Sequence, residues 1–160
     1  MRSVFLRLAL VASLPVPLLA QSATTQLRVT TTVIKNCTIT SSDVAFGNYD
    51  PVGANRTAPL DGIGTLTITC TTGTAATIGL DTGGNGNRRM NNGSGVYLSY
   101  ELYKDGGRTQ VWGNTGGGMM PIVAAPTVQP RVFTVYGRVA PTQDVSPGSY
   151  SDQVVATVNF

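Results

Sequence analysis

The sequence predicts an all-β domain, a sandwich of short strands. Three observations carry that expectation. Thr, Val and Gly abound while Lys and Glu are scarce. Apolar residues recur with period two in several short segments, and no apolar run outside the first twenty residues keeps helical spacing. Gly/Asn/Pro-rich stretches separate those segments.

The first residues stand apart. "MRSVFLR" is short and basic, "LALVASLPVPLLA" is apolar, and small residues follow at Ala20 and Ser22. That is the layout of a secretory signal peptide over residues 1–20, cleaved after Ala20 or alternatively after Ser22. The apolar run is shorter than the roughly 20 residues a membrane span needs, and Pro15 and Pro17 break it. Removing Arg2 and Arg7 takes Lys+Arg from 11 to 9 against 8 acids, a charge of only +1. With the arginines scattered and only Arg88 and Arg89 adjacent, nothing argues for a nucleic-acid partner.

Next, Leu27, Val29, Thr31 and Val33 alternate with Arg28, Thr30 and Thr32, and Cys37 and Ile39 open a second short strand. "FGNYDPVGANRTAPLDG" reads as a loop with an aromatic anchor. "IGTLTITC" puts Leu66, Ile68 and Cys70 on one face, and "TIGLD" is a short apolar strand. "DTGGNGNRRMNNGSG" is a loop, and "VYLSYELY" alternates again, with Val96, Leu98, Tyr100 and Leu102 in phase. "TQVWG" suggests one more short strand, residues 114–130 a linker with apolar patches, and "RVFTVYGRV" another strand. In "SYSDQVVATVNF", Val154, Ala156, Val158 and Phe160 share a face. Seven or so strands with two distant cysteines suit an immunoglobulin-like sandwich, with a small closed barrel as the competing architecture. In an exported chain the pair Cys37 and Cys70 is expected to form a disulfide, stabilising by roughly 3.5–4 kcal/mol in the loop-entropy model.

Chemistry is sparse. The absence of histidine removes Ser-His-Asp and Cys-His arrangements and most transition-metal sites. Asp81-Thr82-Gly83 matches the aspartic-protease triplet, but that chemistry needs two carboxylates sharing a proton and the triplet occurs once. A strand running into a Gly/Asn turn is the better reading. "GGNGNRR" lacks the third glycine, the following helix and the lysine of a phosphate cradle. The sequons at Asn36, Asn55 and Asn92 matter only in a glycosylating host. Asp43, Asp50, Asp61 and Asp105 do not have calcium-loop spacing. No enzyme, cofactor or metal site is expected.

Several stretches together resemble the spore coat protein U domain family, which includes the pilins of archaic (Csu-type) chaperone–usher pili. They are "NCTI", "FGNYDP", "LTITC", "IGLDTGGN" followed by "RRM", "LSYELYKDGGRTQVWG", "VYGRV" and "GSYSDQVVATVNF". The resemblance implies an incomplete immunoglobulin-like sandwich lacking its final strand, completed by a donated strand. It implies residues 21–35 as a donor segment and residues 36–160 as the pilin domain. The donor side chains would be Leu27, Val29, Thr31 and Val33; Val154, Ala156, Val158 and Phe160 would line the acceptor groove. The partners it implies are a periplasmic pilus chaperone, an outer-membrane usher and identical or related pilin subunits. The destination is the cell surface, by way of the periplasm, in a pilus supporting adhesion and biofilm formation. Room for one domain only, where tip adhesins of such pili carry two, suggests a shaft or adaptor subunit. The alternative is a self-contained secreted spore-coat or matrix protein that tucks Leu27–Val33 into its own groove.

Overall fold

The computed structural model describes residues 20–160, so all but the last residue of the expected signal peptide lies outside the described residues. The chain divides into two units, Met1–Thr32 and Val33–Phe160. In the first, residues 20–32 are exposed and carry no regular secondary structure.

The second unit is an all-β sandwich. Its strands are β1 (Cys37–Ala45), β2 (Leu60–Cys70), β3 (Ala76–Leu80), β4 (Arg89–Asn91) and β5 (Tyr97–Tyr103), followed by β6 (Met120–Ile122), β7 (Arg131–Val139) and β8 (Ala156–Asn159). One sheet has the order β1-β2-β7-β5-β4, the other β6-β3-β8, and every neighbouring pair is antiparallel. The architecture is that of an incomplete immunoglobulin-like sandwich.

Alternation along β2 explains the larger sheet. Gly62, Gly64, Leu66, Ile68 and Cys70 are buried while Thr65, Thr67 and Thr69 face outward. Leu98, Tyr100 and Leu102 of β5 and Val135 and Val139 of β7 complete the inner face, which meets Ile78, Leu80 and Ile122 of the smaller sheet. Each fully buried side chain of this size, Ile68, Ile78 and Val139 among them, contributes about 1.5–3 kcal/mol. Cys37 and Cys70 stand directly opposite in register and are joined by a disulfide.

Two segments differ from expectation. "TQVWG" is not a strand: only a single bridge pairs Tyr103 with Val111, and Trp112 drops into the core instead. The Trp112 indole donates Nε1–H to the Ile78 carbonyl at 2.9 Å, satisfying a polar group in an otherwise apolar interior. The 114–130 linker contains a 3₁₀ turn (Gly116–Gly118) and the short strand β6, which covers one side of β3. Pro121 is tolerated there because β6 is an end strand.

The second half of β1 is bent by a register shift between Ser42 and Ala45. Beyond it Val44 and Phe46 turn inward over glycines of β2 and β7. A Cβ on Gly137 would come within 2.6 Å of Phe46 Cζ and 2.8 Å of Val44 Cγ1, and one on Gly64 within 2.7 Å of Val44 Cγ2. The glycines leave the hollow that these two side chains occupy.

Candidate functional site: an open groove between two end strands

β1 ends one sheet and β8 ends the other, and the space between them is uncovered. Two open cavities of about 840 and 610 Å³ adjoin there, sharing Val44, Met90 and Tyr150 in their linings. The run Ile39–Val44 forms one wall of the larger cavity and Tyr150–Ala156 the other. Its floor is the core itself: Leu66, Leu80, Leu102 and Val135. In the smaller cavity Phe46, Tyr49, Leu60 and Val145 continue the lining. This is a long trough with an apolar floor, walls of mixed polarity and a backbone edge on each side, suited to receive an extended peptide.

The expected groove residues are placed unequally. Val154 and Ala156 line the larger cavity, and Val158 is half-buried against the core farther along β8. Phe160 follows the last residue of β8 and is 53% exposed. The regular strand spans Ala156–Asn159, shorter than the Val154–Phe160 alternation, because Val155 N bonds the Asp81 side chain in place of a backbone carbonyl. Of the side chains expected to be donated, Leu27 and Val29 are 87% and 85% exposed, and Thr31 and Val33 are exposed too. Ile39, Val44, Phe46, Met90 and Tyr150 are lining residues that the sequence did not single out. Inward phase with Cys37 marks Ile39, but a register shift and short loops hide the others.

Polar groups at the groove are tied down. Tyr100 donates its hydroxyl to Asp152 Oδ2 at 2.7 Å, and burial first, then this bond, pushes the phenol well above its usual range. Tyr49 anchors its loop by donating to the Ala140 carbonyl and accepting from Gln143 N. Arg88, itself buried, donates from Nη2 to the Leu80 and Trp112 carbonyls at 3.0 and 2.8 Å, while its Nη1 has no hydrogen-bond partner and lies 3.8 Å from the Glu101 carboxylate. Asp81, the carboxylate of the protease-like triplet, accepts from Gly83 N and Val155 N, both at 2.9 Å. It is a turn-former. Among the described residues no group of His, Cys, Asp and Glu could hold a metal ion.

The fold defines an immunoglobulin-like β-sandwich open along one seam. The chain is a member of the spore coat protein U domain family, whose model matches residues 23–157. It is similar to Protein U of Myxococcus xanthus, 39% identical, over 90% of this chain and 88% of that protein. Its fold is also similar to a chain in the crystal structure of the CsuC-CsuE chaperone-tip adhesion subunit pre-assembly complex, from archaic chaperone-usher Csu pili of Acinetobacter baumannii. There the TM-score is 0.58 at 25% identity, covering 81% of this chain and 41% of that one. This chain therefore spans about two-fifths of that neighbour's length. Family and neighbour point to a structural, non-enzymatic protein.

Proposed function

We propose that the protein is a structural subunit of a surface pilus that polymerises by donor-strand exchange. The open groove between β1 and the C-terminal wall carries this reading. In it, Leu27–Val33 of one copy fills the groove of the next, with Leu27, Val29, Thr31 and Val33 inward and backbone pairing along Val154–Phe160. The lengths agree. Seven extended residues span roughly 20 Å at about 3.3 Å per residue, and the wall from Ile39 to Phe46 spans roughly 23 Å. Each apolar side chain so buried contributes on the order of 1.5–3 kcal/mol, so Leu27, Val29 and Val33 in series make a joint that opens slowly. Before assembly a periplasmic chaperone covers the groove and delivers the subunit to an outer-membrane usher, by analogy with the chaperone-bound neighbour. The exposed fibre then supports adhesion and biofilm formation.

The family's name favours a second reading, a secreted coat or matrix protein that folds alone. Native mass of the purified chain, with and without a co-expressed chaperone, separates the two. Val29→Asp, which would bury a charge in the joint, is expected to abolish fibres while leaving chaperone capture intact. Wild-type amounts of fibre from that variant, or a stable chaperone-free monomer, would favour the coat protein.

A further inference from the structure

The stretch Asp81-Thr82-Gly83-Gly84-Asn85 contributes nothing to the apolar lining of the groove, yet it meets Ser151–Val155 almost residue by residue. Asp81 N donates to the Val155 carbonyl at 3.1 Å, and Asp81 Oδ1 accepts from Val155 N at 2.9 Å. Gly84 N donates to the Gln153 carbonyl at 2.8 Å. Asn85 donates to Asp152 Oδ1 from both its backbone N and Nδ2, each at 3.0 Å, and from Nδ2 to the Ser151 carbonyl. The other carboxylate oxygen, Oδ2, accepts from Tyr100 Oη. Gly83 has φ +84°, and a Cβ there would collide with the Asp152 carboxylate. The loop is thus shaped around one side chain.

That side chain stands where the wall changes sheets. Just before it, Ser151 exchanges two backbone bonds with Asn91 of β4, in the larger sheet. Just after it, Ala156 pairs with Leu80 of β3, in the smaller one. Neither regular ladder runs through Asp152 and Gln153; two loop backbone bonds, Gly84 N to the Gln153 carbonyl and Asp81 N to the Val155 carbonyl, and the bonds to the Asp152 carboxylate hold the crossing. We infer that Asp152, seated in the Asp81–Asn85 loop, is the positioning residue that holds the groove's C-terminal wall across the gap between the sheets, and so fixes where Val154 and Ala156 meet an incoming strand. The inference deepens the donor-strand reading and rests on it for what the groove receives. Without the carboxylate, Tyr100 Oη and the Asn85 backbone N lose their acceptor, and only the bonds of Gly84, Asp81 and Asn85 Nδ2 to the wall's backbone remain to place it.

The test uses the full mature chain with Asp152→Ala, Asp152→Asn and Tyr100→Phe, and a fluorescent peptide of residues 24–34 as the probe. Amide hydrogen exchange reads the wall directly, and peptide capture reads its consequence. In Asp152→Ala, which removes the acceptor of three bonds from Asn85 and Tyr100, protection of the Val155 amide and peptide capture should each fall at least about tenfold, the size of a single lost charge-assisted bond, while β2 and β7 amides stay protected. Asp152→Asn should recover both to within about threefold, because its amide oxygen still accepts from Asn85 N. Tyr100→Phe, which leaves the Asn85 bonds in place, should fall between, and it carries the test if Asp152→Ala does not fold. Wild-type wall protection in Asp152→Ala, a uniform loss of protection across all strands, or no rescue by Asp152→Asn would overturn the inference. If the wild-type chain captures no peptide, the donor-strand reading fails, and the exchange pattern alone decides the role of Asp152.

Discussion

Gly137→Ala tests the glycine hollow under β1. The new Cβ would lie 2.6 and 2.7 Å from Phe46 Cζ and Cε1 and 2.8 Å from Val44 Cγ1, about 1 Å inside ordinary carbon–carbon contact. The bent end of β1 must shift outward, because the glycine backbone is held by the β2–β7 and β5–β7 ladders on both sides. Overpacking of this kind costs about 1–3 kcal/mol. At roughly 3 °C per kcal/mol for a domain of this size, the melting temperature should fall by about 3–9 °C. Urea unfolding with Gly137→Ala, Phe46→Leu and the double variant measures the coupling directly. Phe46→Leu should relieve much of the Gly137→Ala penalty, giving an interaction energy above about 0.5 kcal/mol. Strict additivity, or a Gly137→Ala midpoint equal to wild type, would refute the view that this glycine exists to seat the phenyl ring.

Replacing both Cys37 and Cys70 by Ser should cost about 4 kcal/mol, the loop-entropy value for their sequence separation of 33. A calorimetric loss below about 1 kcal/mol would show that the bridge is incidental to stability. Acid sensitivity should depend partly on Asp61, whose carboxyl is held below its usual value first by the two hydrogen bonds from Arg138, which burial opposes in part, and to a lesser degree by the nearby Arg108 and Arg138 charges. A carboxylate with a lowered folded-state pKa stabilises fully above its unfolded value near 4, and that contribution disappears as pH falls through the folded value. Asp61→Asn should therefore flatten the stability curve below about pH 4, by less than about 1 kcal/mol for so exposed a pair. Tyr100 acts in the opposite direction: its raised pKa gives a contribution complete below about pH 10 and lost as pH climbs beyond it. Urea melts of Tyr100→Phe should lack that alkaline decline.

What the sequence made legible follows from parity. β2, β5 and β7 bury one face each, so period-two alternation exposed them, and the family resemblance carried by the same stretches is confirmed by the family match. β1 was legible only as far as its bulge. Cys37 and Ile39 point inward on odd numbers, whereas Val44 and Phe46 point inward on even ones, and no fixed phase covers both. The hollow beneath them is made by residues without side chains, which give no apolar signal. Trp112 read as a strand residue because one indole carries no periodicity, and β6 is too short, with a proline inside, to rise above the linker around it. The C-terminal alternation holds its phase over Val154, Ala156 and Val158, which are all half-buried, and ends before Phe160, which is 53% exposed. Its regular strand is shorter because the crossing is held by side-chain bonds and by backbone bonds to a loop, not by a regular ladder.

The sheet change at Asp152 has a consequence for direction. Stepping through the antiparallel pairs, β1, β7 and β4 run one way, and β2, β5 and the Ser151 segment run the other. The two walls of the groove therefore point in opposite senses. A strand laid between them cannot be antiparallel to both: it meets one wall with perpendicular, paired bonds and the other with slanted, evenly spaced ones. Turning that strand end for end exchanges the two kinds of pairing and presents each of its side chains to a different stretch of floor. The groove can thus tell a peptide from its reverse. A chain of copies joined through it would have a distinct head and tail, and would grow at two ends that are chemically unlike.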